Sequence, residues 1–272
     1  MPRPHCAATA TAAQLRRTAR GSRTFRCRAC RRIGDARTGT PYNHWRYPTD
    51  LVLLVVPWRL RDKLRLRDLA ELFLERGFVF GHEAARDWET RFAPLPAGRL
   101  RAKRRGQGGT KWHADGTFVR VDGRWYSRCR ALDRDGNLVE ALRSKKRVMD
   151  AAQRFFVRAL DTAGQVPAQV TTDGHDAYPR AIRETLGDSA HHRTSRYKNK
   201  RIEQDYRGSK QRYCSMCGFG NFAAAARFCT GFEEQRQYFR AQARSGEIVS
   251  LADRRRRFHE RRAGIIAESA AA

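Results

Sequence analysis

Two Asp-Gly dipeptides divide the middle of this 272-residue chain into segments of alternating apolar and polar residues, and no other feature constrains the fold as strongly. They are Asp122-Gly123 and Asp135-Gly136. Asp-Gly between alternating segments is the strongest short-range signal of a β-hairpin, because the tight turn needs residues that tolerate positive φ. We therefore predict three antiparallel strands between about residues 115 and 143.

The segments that follow predict a mixed sheet covered by helices. Apolar spacing and strand-like residues place helices at residues 147–162, 177–186 and around 203, and strands at residues 169–172 and 191–197. The predicted order of elements is that of a ribonuclease-H-like α/β fold with a mixed five-stranded sheet. It consists of three strands followed by a helix, a strand, a helix, a strand and a helix. In that fold the first and fourth strands lie side by side at the centre. We expect residues 111–240 to form this domain.

Three carboxylates stand where this topology would bring them together. Asp115 lies on the first strand, Asp173 ends the fourth, and Glu203 lies on the late helix. On that helix Arg207 and Lys210 follow Glu203 at i+4 and i+7, so the three share one face and the cations suit DNA phosphates. Carboxylate oxygens are the ligands that Mg²⁺ prefers, and two ions roughly 3.5–4 Å apart can clamp a phosphoryl displacement. The alternative for each carboxylate is a solvated surface charge.

The residues around these carboxylates resemble the catalytic domain of bacterial insertion-sequence transposases of the IS-six family, a DDE group that includes IS-twenty-six. The resemblance runs from about Thr38 to Ala271. The motifs that carry it are Trp-His-Ala-Asp115, Asp122-Gly-Arg-Trp, Ala-Leu-Asp133-Arg-Asp-Gly, Thr-Thr-Asp173-Gly-His-Asp-Ala-Tyr178, Ile-Glu203-Gln-Asp-Tyr-Arg-Gly-Ser-Lys210 and Gly218-Phe-Gly-Asn-Phe222.

The resemblance implies a DNA transposase that cleaves and joins strands at insertion-sequence ends. It implies that Asp115, Asp173 and Glu203 are catalytic and bind Mg²⁺ or Mn²⁺. It further implies that the DNA partners are terminal inverted repeats and target DNA, and that the protein acts as a homodimer or higher oligomer. Several positions depart from the family; among them, the family usually has Glu where this chain has Gly116 and His where it has Tyr206.

The charge of the chain agrees with a nucleic-acid partner. It carries 56 Lys and Arg residues against 28 Asp and Glu residues, a formal charge of +28. Such a surplus points to a polyanion, although an arginine-rich genome would also produce part of it. No apolar run approaches the ~20 residues of a membrane span. Seven unevenly spaced cysteines and the lack of a signal peptide predict a reducing cytoplasm. The resemblance implies that this is the cytoplasm of a bacterium, where the protein would associate with the nucleoid.

The N-terminal residues 1–40 form a basic arm with half of a zinc-ribbon motif. Cys27-Arg-Ala-Cys30 would supply two thiolates, and Cys6 lies upstream without a properly spaced partner. The arm therefore predicts either a degenerate zinc ribbon holding Zn²⁺ or a metal-free arm that contacts DNA.

Residues 48–93 predict a helix-turn-helix DNA-binding region. A helix starts near Thr49 and should kink or end at Pro57, and two further short helices follow. His82 and Arg86 on the last of these would face a DNA groove, as would Glu83. An ordinary helical hairpin is the alternative.

Two further basic segments flank the predicted catalytic domain. Residues 94–110 predict a linker in which Arg101, Lys103 and Arg104 follow a DNA backbone, or else a solvated tether. Residues 241–272 predict a basic helical tail.

Two other functions compete with an active transposase. One is a catalytically decayed copy that only binds DNA through residues 60–93, and the other is a ribonuclease-H-like nuclease that cleaves DNA without joining it. The position of the Glu203 carboxylate relative to Asp115 and Asp173 separates the first alternative from the enzyme.

Overall fold

The computed structural model describes residues 6, 8–19, 21–62, 64–145, 148–195, 200–216, 218–242, 244 and 246–270. Within them the strands are β1 (Thr11–Arg17), β2 (Arg23–Cys27), β3 (Ile33–Gly34), β4 (Lys111–Val121), β5 (Arg124–Asp133), β6 (Leu138–Ser144), β7 (Gln169–Thr172) and β8 (His191–Thr194). The helices are α1 (Thr49–Arg61), α2 (Leu66–Leu74), α3 (His82–Phe92), α4 (Pro94–Arg104), α5 (Met149–Ala163), α6 (Ala177–Leu186), α7 (Lys200–Ser215), α8 (Phe222–Tyr238) and α9 (Leu251–Ala270).

A mixed five-stranded sheet in the order β6-β5-β4-β7-β8 forms the centre of the chain. The pairs β6–β5 and β5–β4 are antiparallel, whereas β4–β7 and β7–β8 are parallel. The predicted ribonuclease-H-like arrangement, with the first and fourth strands as neighbours, is therefore confirmed. The β4–β5 turn has φ of 47° at Asp122 and 74° at Gly123, which is the backbone that favours Asp-Gly there.

Helices cover both faces of this sheet. On one face α5 and α6 pack on β4 and β7 through an apolar core whose largest buried members are Trp112, Phe155, Phe156 and Tyr178. On the other face α7 and α8 pack on β4 and β5, where the contact is partly apolar and partly made of buried charges. Residues of β4 alternate between these two environments, as a strand with two covered faces requires.

The N-terminal helices pack on the catalytic half of the chain rather than standing apart from it. Helices α1, α2 and α3 share a core with α8, to which Leu60, Trp88, Phe228 and Phe232 belong. Helix α1 continues to Arg61 with Pro57 inside it, so the helix does not end at that proline. A kink there stays a prediction. Burial of the apolar residues on both sides of Pro57 holds the helix together there.

The predicted linker is also wrong, because Pro94–Arg104 forms helix α4. Pro94 stands at the start of the helix, where its missing N–H group has no intrahelical partner to lose. Pro96, Ala97 and Leu100 are buried and anchor the helix against its neighbours. A segment with two prolines and several arginines therefore joins two packed regions as a helix.

The two ends of the described chain are ordered as well. Strands β1, β2 and β3 form a small antiparallel sheet. Helix α9 contacts α1 and α4 and buries Ile265, so the basic C-terminal segment is packed rather than a free tail. None of the helices in the described ranges has the length and apolar character that crossing a membrane demands.

Candidate active site

Asp115 lies in the middle of β4, on the face covered by α7 and α8. The alternation of the strand puts its side chain with those of Thr117 and Val119, and the directly opposite residue on β5 is Arg130. The side chain is half-buried, and its Oδ1 accepts a hydrogen bond of 2.7 Å from the backbone N–H of Gly116. The side chain at position 116 would point to the other face, so Gly116 does not compete for the same space.

Asp173 is the first residue after β7. In the parallel register of β4 and β7, Thr171 is the partner of His113 and is the last paired residue of β7. Continued by two residues, this register would bring Asp173 level with Asp115. Gly174 follows with φ of +88°, and a Cβ atom there would lie 2.6 Å from Cγ2 of Thr194. Only glycine fits this turn without strain, and the turn sets where the Asp173 side chain points.

Glu203 lies near the start of α7. The helix buries Ile202, Tyr206 and Ser209 and exposes Glu203, Arg207 and Lys210, so the predicted shared face of these three residues is confirmed. The hydroxyl of Tyr206 donates a hydrogen bond of 2.8 Å to the backbone carbonyl of Asp115. This bond fixes α7 against β4 within one helical turn of Glu203.

The three carboxylates therefore belong to elements that meet at Asp115. Among the described residues, their oxygen atoms do not all lie within 4.8 Å of one another, so they do not form one compact cage for a single ion. The donor set consists of oxygen atoms alone, which fits Mg²⁺ or Mn²⁺ and disfavours softer metals.

A buried network of charged side chains lies under this site and was not recognised in the sequence. The Glu233 carboxylate of α8 contacts Arg128 and Arg130 of β5, the latter at 3.0 Å. Arg130 also pairs with Asp205 of α7, which bonds Arg236 of α8 at 2.6 Å. Asp205 faces away from Glu203, as its spacing predicts. The network joins β5, α7 and α8, and so holds the helix that carries Glu203.

Burial alters the titration of two members of this region. It lowers the pKa of Arg130 to about 9, an effect that the neighbouring Asp205 opposes. Burial, followed by the charge of Asp115, raises the pKa of Tyr206 well above its usual value. Tyr206 therefore keeps its proton and remains a hydrogen-bond donor to the Asp115 carbonyl.

The predicted DNA-contacting residues of the helix-turn-helix are accessible but paired. Arg86 is exposed and His82 half-exposed on α3, and both contact Glu83, His82 at 3.0 Å. Their contact with DNA stays a prediction. Arg207 and Lys210 of α7 are exposed, and their contact with DNA phosphates also stays a prediction.

Two of the three predicted DNA-contacting residues of α4 pair with carboxylates of the protein itself, and their contact with DNA stays a prediction. Arg101 bonds the buried Glu140 at 2.6 Å, and Arg104 bonds both carboxylate oxygens of Glu234 at 2.8 and 2.6 Å. Arg104 also donates to the backbone carbonyls of residues 138 and 139. Both arginines are thus used inside the protein, whereas Lys103 is exposed.

The three N-terminal thiols lie together despite their uneven spacing. The ligand atoms of Cys6, Cys27 and Cys30 are all within 4.8 Å of one another, and the Sγ atoms of Cys6 and Cys27 are 3.5 Å apart. The β1–β2 pairing, in which Thr11 faces Cys27, returns the chain to bring Cys6 close. The backbone N–H of Cys30 helps to lower the pKa of Cys27 to about 7. Three thiolates suit Zn²⁺.

Comparison with known proteins agrees with the motifs and the fold. A family model described as a DDE domain matches residues 109–242. The chain is 30% identical over 177 residues to the transposase for insertion sequence-like element IS431mec of Staphylococcus aureus strain Mu50, covering 62% of this chain and 78% of the relative. It is 29% identical over the same length and the same shares to the transposase for insertion sequence element IS257 in transposon Tn4003 of Staphylococcus aureus.

Among solved structures, a chain of the simian T-cell lymphotropic virus intasome in complex with PP2A regulatory subunit B56 gamma has 17% identity and a TM-score of 0.36. The match covers 47% of this chain and 50% of that chain, too little likeness to support an inference. The family model and the two bacterial relatives, together with the sheet order, are sufficient: the chain belongs to the IS-six family of DDE transposases.

Proposed function

We propose that the chain cleaves and joins DNA strands at the ends of an insertion sequence, using Asp115, Asp173 and Glu203 as its catalytic triad. The observation that best supports this is the hydrogen bond from Tyr206 to the Asp115 carbonyl. It ties the helix of Glu203 to the strand of Asp115, and the β4–β7 register, continued by two residues, would bring Asp173 level with Asp115. These contacts support a site built by three carboxylates from three separate elements.

The triad would hold two divalent ions, Mg²⁺ or Mn²⁺. When bound, they supply activation of the attacking hydroxyl and stabilisation of the leaving oxygen. Asp115 would contact both ions, Asp173 the first and Glu203 the second. In cleavage, a water oxygen bonds to phosphorus and the 3′-oxygen leaves as a hydroxyl. In joining, that 3′-hydroxyl attacks a target phosphodiester and displaces its 3′-oxygen. Arg207 and Lys210 would bind the adjacent phosphates.

DNA recognition would come from the N-terminal half of the chain and from its charge of +28. Helices α2 and α3, with His82 and Arg86 exposed or half-exposed, would contact the terminal inverted repeats, and Lys103 would contact the backbone. Two copies would assemble to hold two ends, and a third DNA segment would be the target. We place this activity at the nucleoid of the bacterial cytoplasm.

The N-terminal sheet would carry one Zn²⁺ on Cys6, Cys27 and Cys30. The proximity of the three thiols supports this, since a structural zinc site needs closely grouped thiolates. The ion would fix the β1–β2 sheet and have no part in the strand transfer.

A strand-transfer assay tests the proposed function. Labelled DNA carrying the end of the encoding element is incubated with Mg²⁺ or Mn²⁺ and either the wild type or Asp173→Asn. We expect joined product with the wild type only, and equal DNA binding by both proteins. Binding without product from either protein would instead support the decayed copy, which the match to the transposase family does not favour. Cleaved but unjoined DNA would support the nuclease.

A further inference from the structure

A cavity of about 870 Å³ opens beside the candidate active site, between the β4–β5 hairpin and the C-terminal half of α7. We call it the aromatic cavity; its walls include Thr117, Phe118, Arg120, Trp125, Lys210 and Tyr213. It follows β4 beyond the point where that strand pairs with β7, since the pairing covers only Lys111–His113. The proposed catalytic function does not account for this cavity.

Two large aromatic side chains of this cavity are exposed to solvent. Trp125 is 65% exposed and Phe118 is 46% exposed. The register pairs Trp125 with Arg120, two residues from Phe118, so these three side chains stand on one face as near neighbours. The chain's other four tryptophans are buried or half-buried. Folding therefore does not explain the exposure of Trp125.

The positive charge of the cavity favours, among ligands with flat apolar surfaces, those that are negatively charged. Arg120 and Lys210 contribute two cations, and none of its described lining residues is acidic. A ligand that combines planar rings with negative charge matches both features. Single-stranded DNA is such a ligand, because its bases stack on aromatic side chains and its phosphates bind cations.

The position of the cavity relates it to the reacting phosphate. Thr117 lies two residues beyond Asp115 on the same strand face, which is about 6.6 Å along a strand. Lys210 lies seven residues beyond Glu203 on the same helix face, which is about 10.5 Å along a helix. Phe118, Arg120 and Trp125 point to the opposite face of the hairpin from Asp115, so the cavity extends from the Asp115 side round the edge of β4 beyond its pairing with β7. Bases that reach the aromatic rings therefore lie further along the DNA strand than these two lengths.

We propose that the aromatic cavity binds unpaired bases of the DNA strand, several nucleotides from the phosphodiester that reacts. Trp125 and Phe118 stack on the bases, and Lys210 and Arg120 bind the flanking phosphates. This inference rests on the proposed function, because it takes the triad as the position of the reacting phosphate. It adds a strand-separating subsite to that function.

The experiment compares the affinity of the whole protein for two sequence-independent probes, a short blunt duplex and the same duplex with a four-nucleotide single-stranded 3′ tail. We expect the tail to tighten wild-type binding by about 5- to 150-fold, the effect of stacking one base on an aromatic side chain. Trp125→Ala should lose this gain, and Trp125→Phe should retain most of it. Val157→Ala, at an exposed apolar position on α5, is the matched control and should behave as the wild type.

Equal affinity of the wild type for the two probes would overturn the inference, as would an unchanged gain in Trp125→Ala. Trp125→Ala could also lose dimers while the tail still tightens its DNA binding as in the wild type. That result would overturn the inference and assign the aromatic side chains to a contact between copies of the chain. The probes need no turnover, so this test is separate from strand transfer. A protein that joins DNA without preferring the tail contradicts only the subsite, and one that prefers the tail without joining contradicts only the catalytic proposal.

Discussion

At the scale of single residues, Tyr206 links the helix that carries Glu203 to the strand that carries Asp115 through one hydrogen bond. Its hydroxyl bonds the backbone carbonyl of Asp115, and its own helix carries Glu203 three residues earlier. The ring is buried, and the Arg128 guanidinium lies over it at 5.4 Å. The tyrosine that replaces the usual histidine of the family therefore has a defined structural role, and its presence does not indicate decay.

Tyr206→Phe tests that role. We expect a stability loss of about 0.5–1.5 kcal/mol, the net value of one hydrogen bond. Strand transfer should fall by up to about 100-fold, because a displacement near 1 Å at a reacting centre has that effect. Urea unfolding and a strand-transfer assay measure the two changes. Tyr42→Phe, whose buried hydroxyl has no hydrogen-bond partner among the described residues, is the control. Unchanged strand transfer in Tyr206→Phe would contradict the role.

Cys27 provides a second test at this scale. We expect the purified chain to contain about one Zn²⁺ per molecule, since three grouped thiolates bind this ion well. Cys27→Ser should lose the metal, and Cys214→Ser, an exposed cysteine outside the cluster, should keep it. Elemental analysis after dialysis gives the stoichiometry. Equal zinc content in the two variants would exclude the site.

The sequence was sufficient to predict which strands and which helix carry the carboxylates, but not the contacts that support those elements. Asp115 and Asp173 follow from the order of the strands, because neighbouring parallel strands bring equivalent positions level. The hydrogen bond of Tyr206 could not be predicted, since its partner is a backbone carbonyl 91 positions away. Every residue has a backbone carbonyl, so no sequence pattern shows which one will accept the bond.

At the scale of elements, the buried charges decide where α7 lies. Glu233 is the central carboxylate, because it faces Arg128 and Arg130 with nearly no solvent access to any of the three side chains. Asp205 extends the network to α7. Charges in such surroundings are tolerated only when they are paired.

Glu233→Gln should therefore destabilise the protein strongly. Removing this charge leaves two buried guanidinium groups without their shared partner, and breaking a buried pair costs about 3–5 kcal/mol. Urea unfolding followed by circular dichroism measures the change. Glu260→Gln, an exposed carboxylate of α9, should change stability by less than about 0.5 kcal/mol. A comparable, small change in both variants would show that the network does not hold α7.

The arginines were the least predictable part of these elements. With a charge of +28, an arginine in a basic segment is readily interpreted as a DNA contact. Arg101 and Arg104 instead pair with carboxylates 39 and 130 positions away. Only the tertiary fold distinguishes an arginine that binds a buried carboxylate from one that binds DNA.

At the scale of the whole molecule, α8 joins the helical region to the catalytic sheet. It packs against α1 and α4 on one side, and against β6 on the other. Arg104 closes the junction, because it bonds the Glu234 carboxylate of α8 and two carbonyls at the start of β6. A movement of helices α1, α2 and α3 would therefore be transmitted to the sheet through packed elements rather than through a flexible tether.

Arg104→Ala and Lys103→Ala distinguish this junction from the predicted basic linker. We expect Arg104→Ala to lose about 3–5 kcal/mol of stability, since it leaves Glu234 buried and unpaired. Lys103→Ala should leave stability unchanged and weaken DNA binding slightly. Calorimetry and DNA titration give both quantities. The opposite pattern, weaker DNA binding and normal stability in Arg104→Ala, would restore the linker interpretation.

A substitution of Glu203 tests the proposed catalytic triad most directly. Of the three carboxylates, only Glu203 depends for its position on the packing of a helix rather than on strand register. The measurement is the yield of joined DNA in a strand-transfer assay with Mn²⁺, for the wild type, Glu203→Gln and the exposed control Glu75→Gln. We expect Glu203→Gln to lose at least about 100-fold in joined product, as the loss of a metal ligand would cause, and Glu75→Gln to match the wild type. Full activity in Glu203→Gln would contradict the triad, since the third carboxylate would then have no part in the reaction.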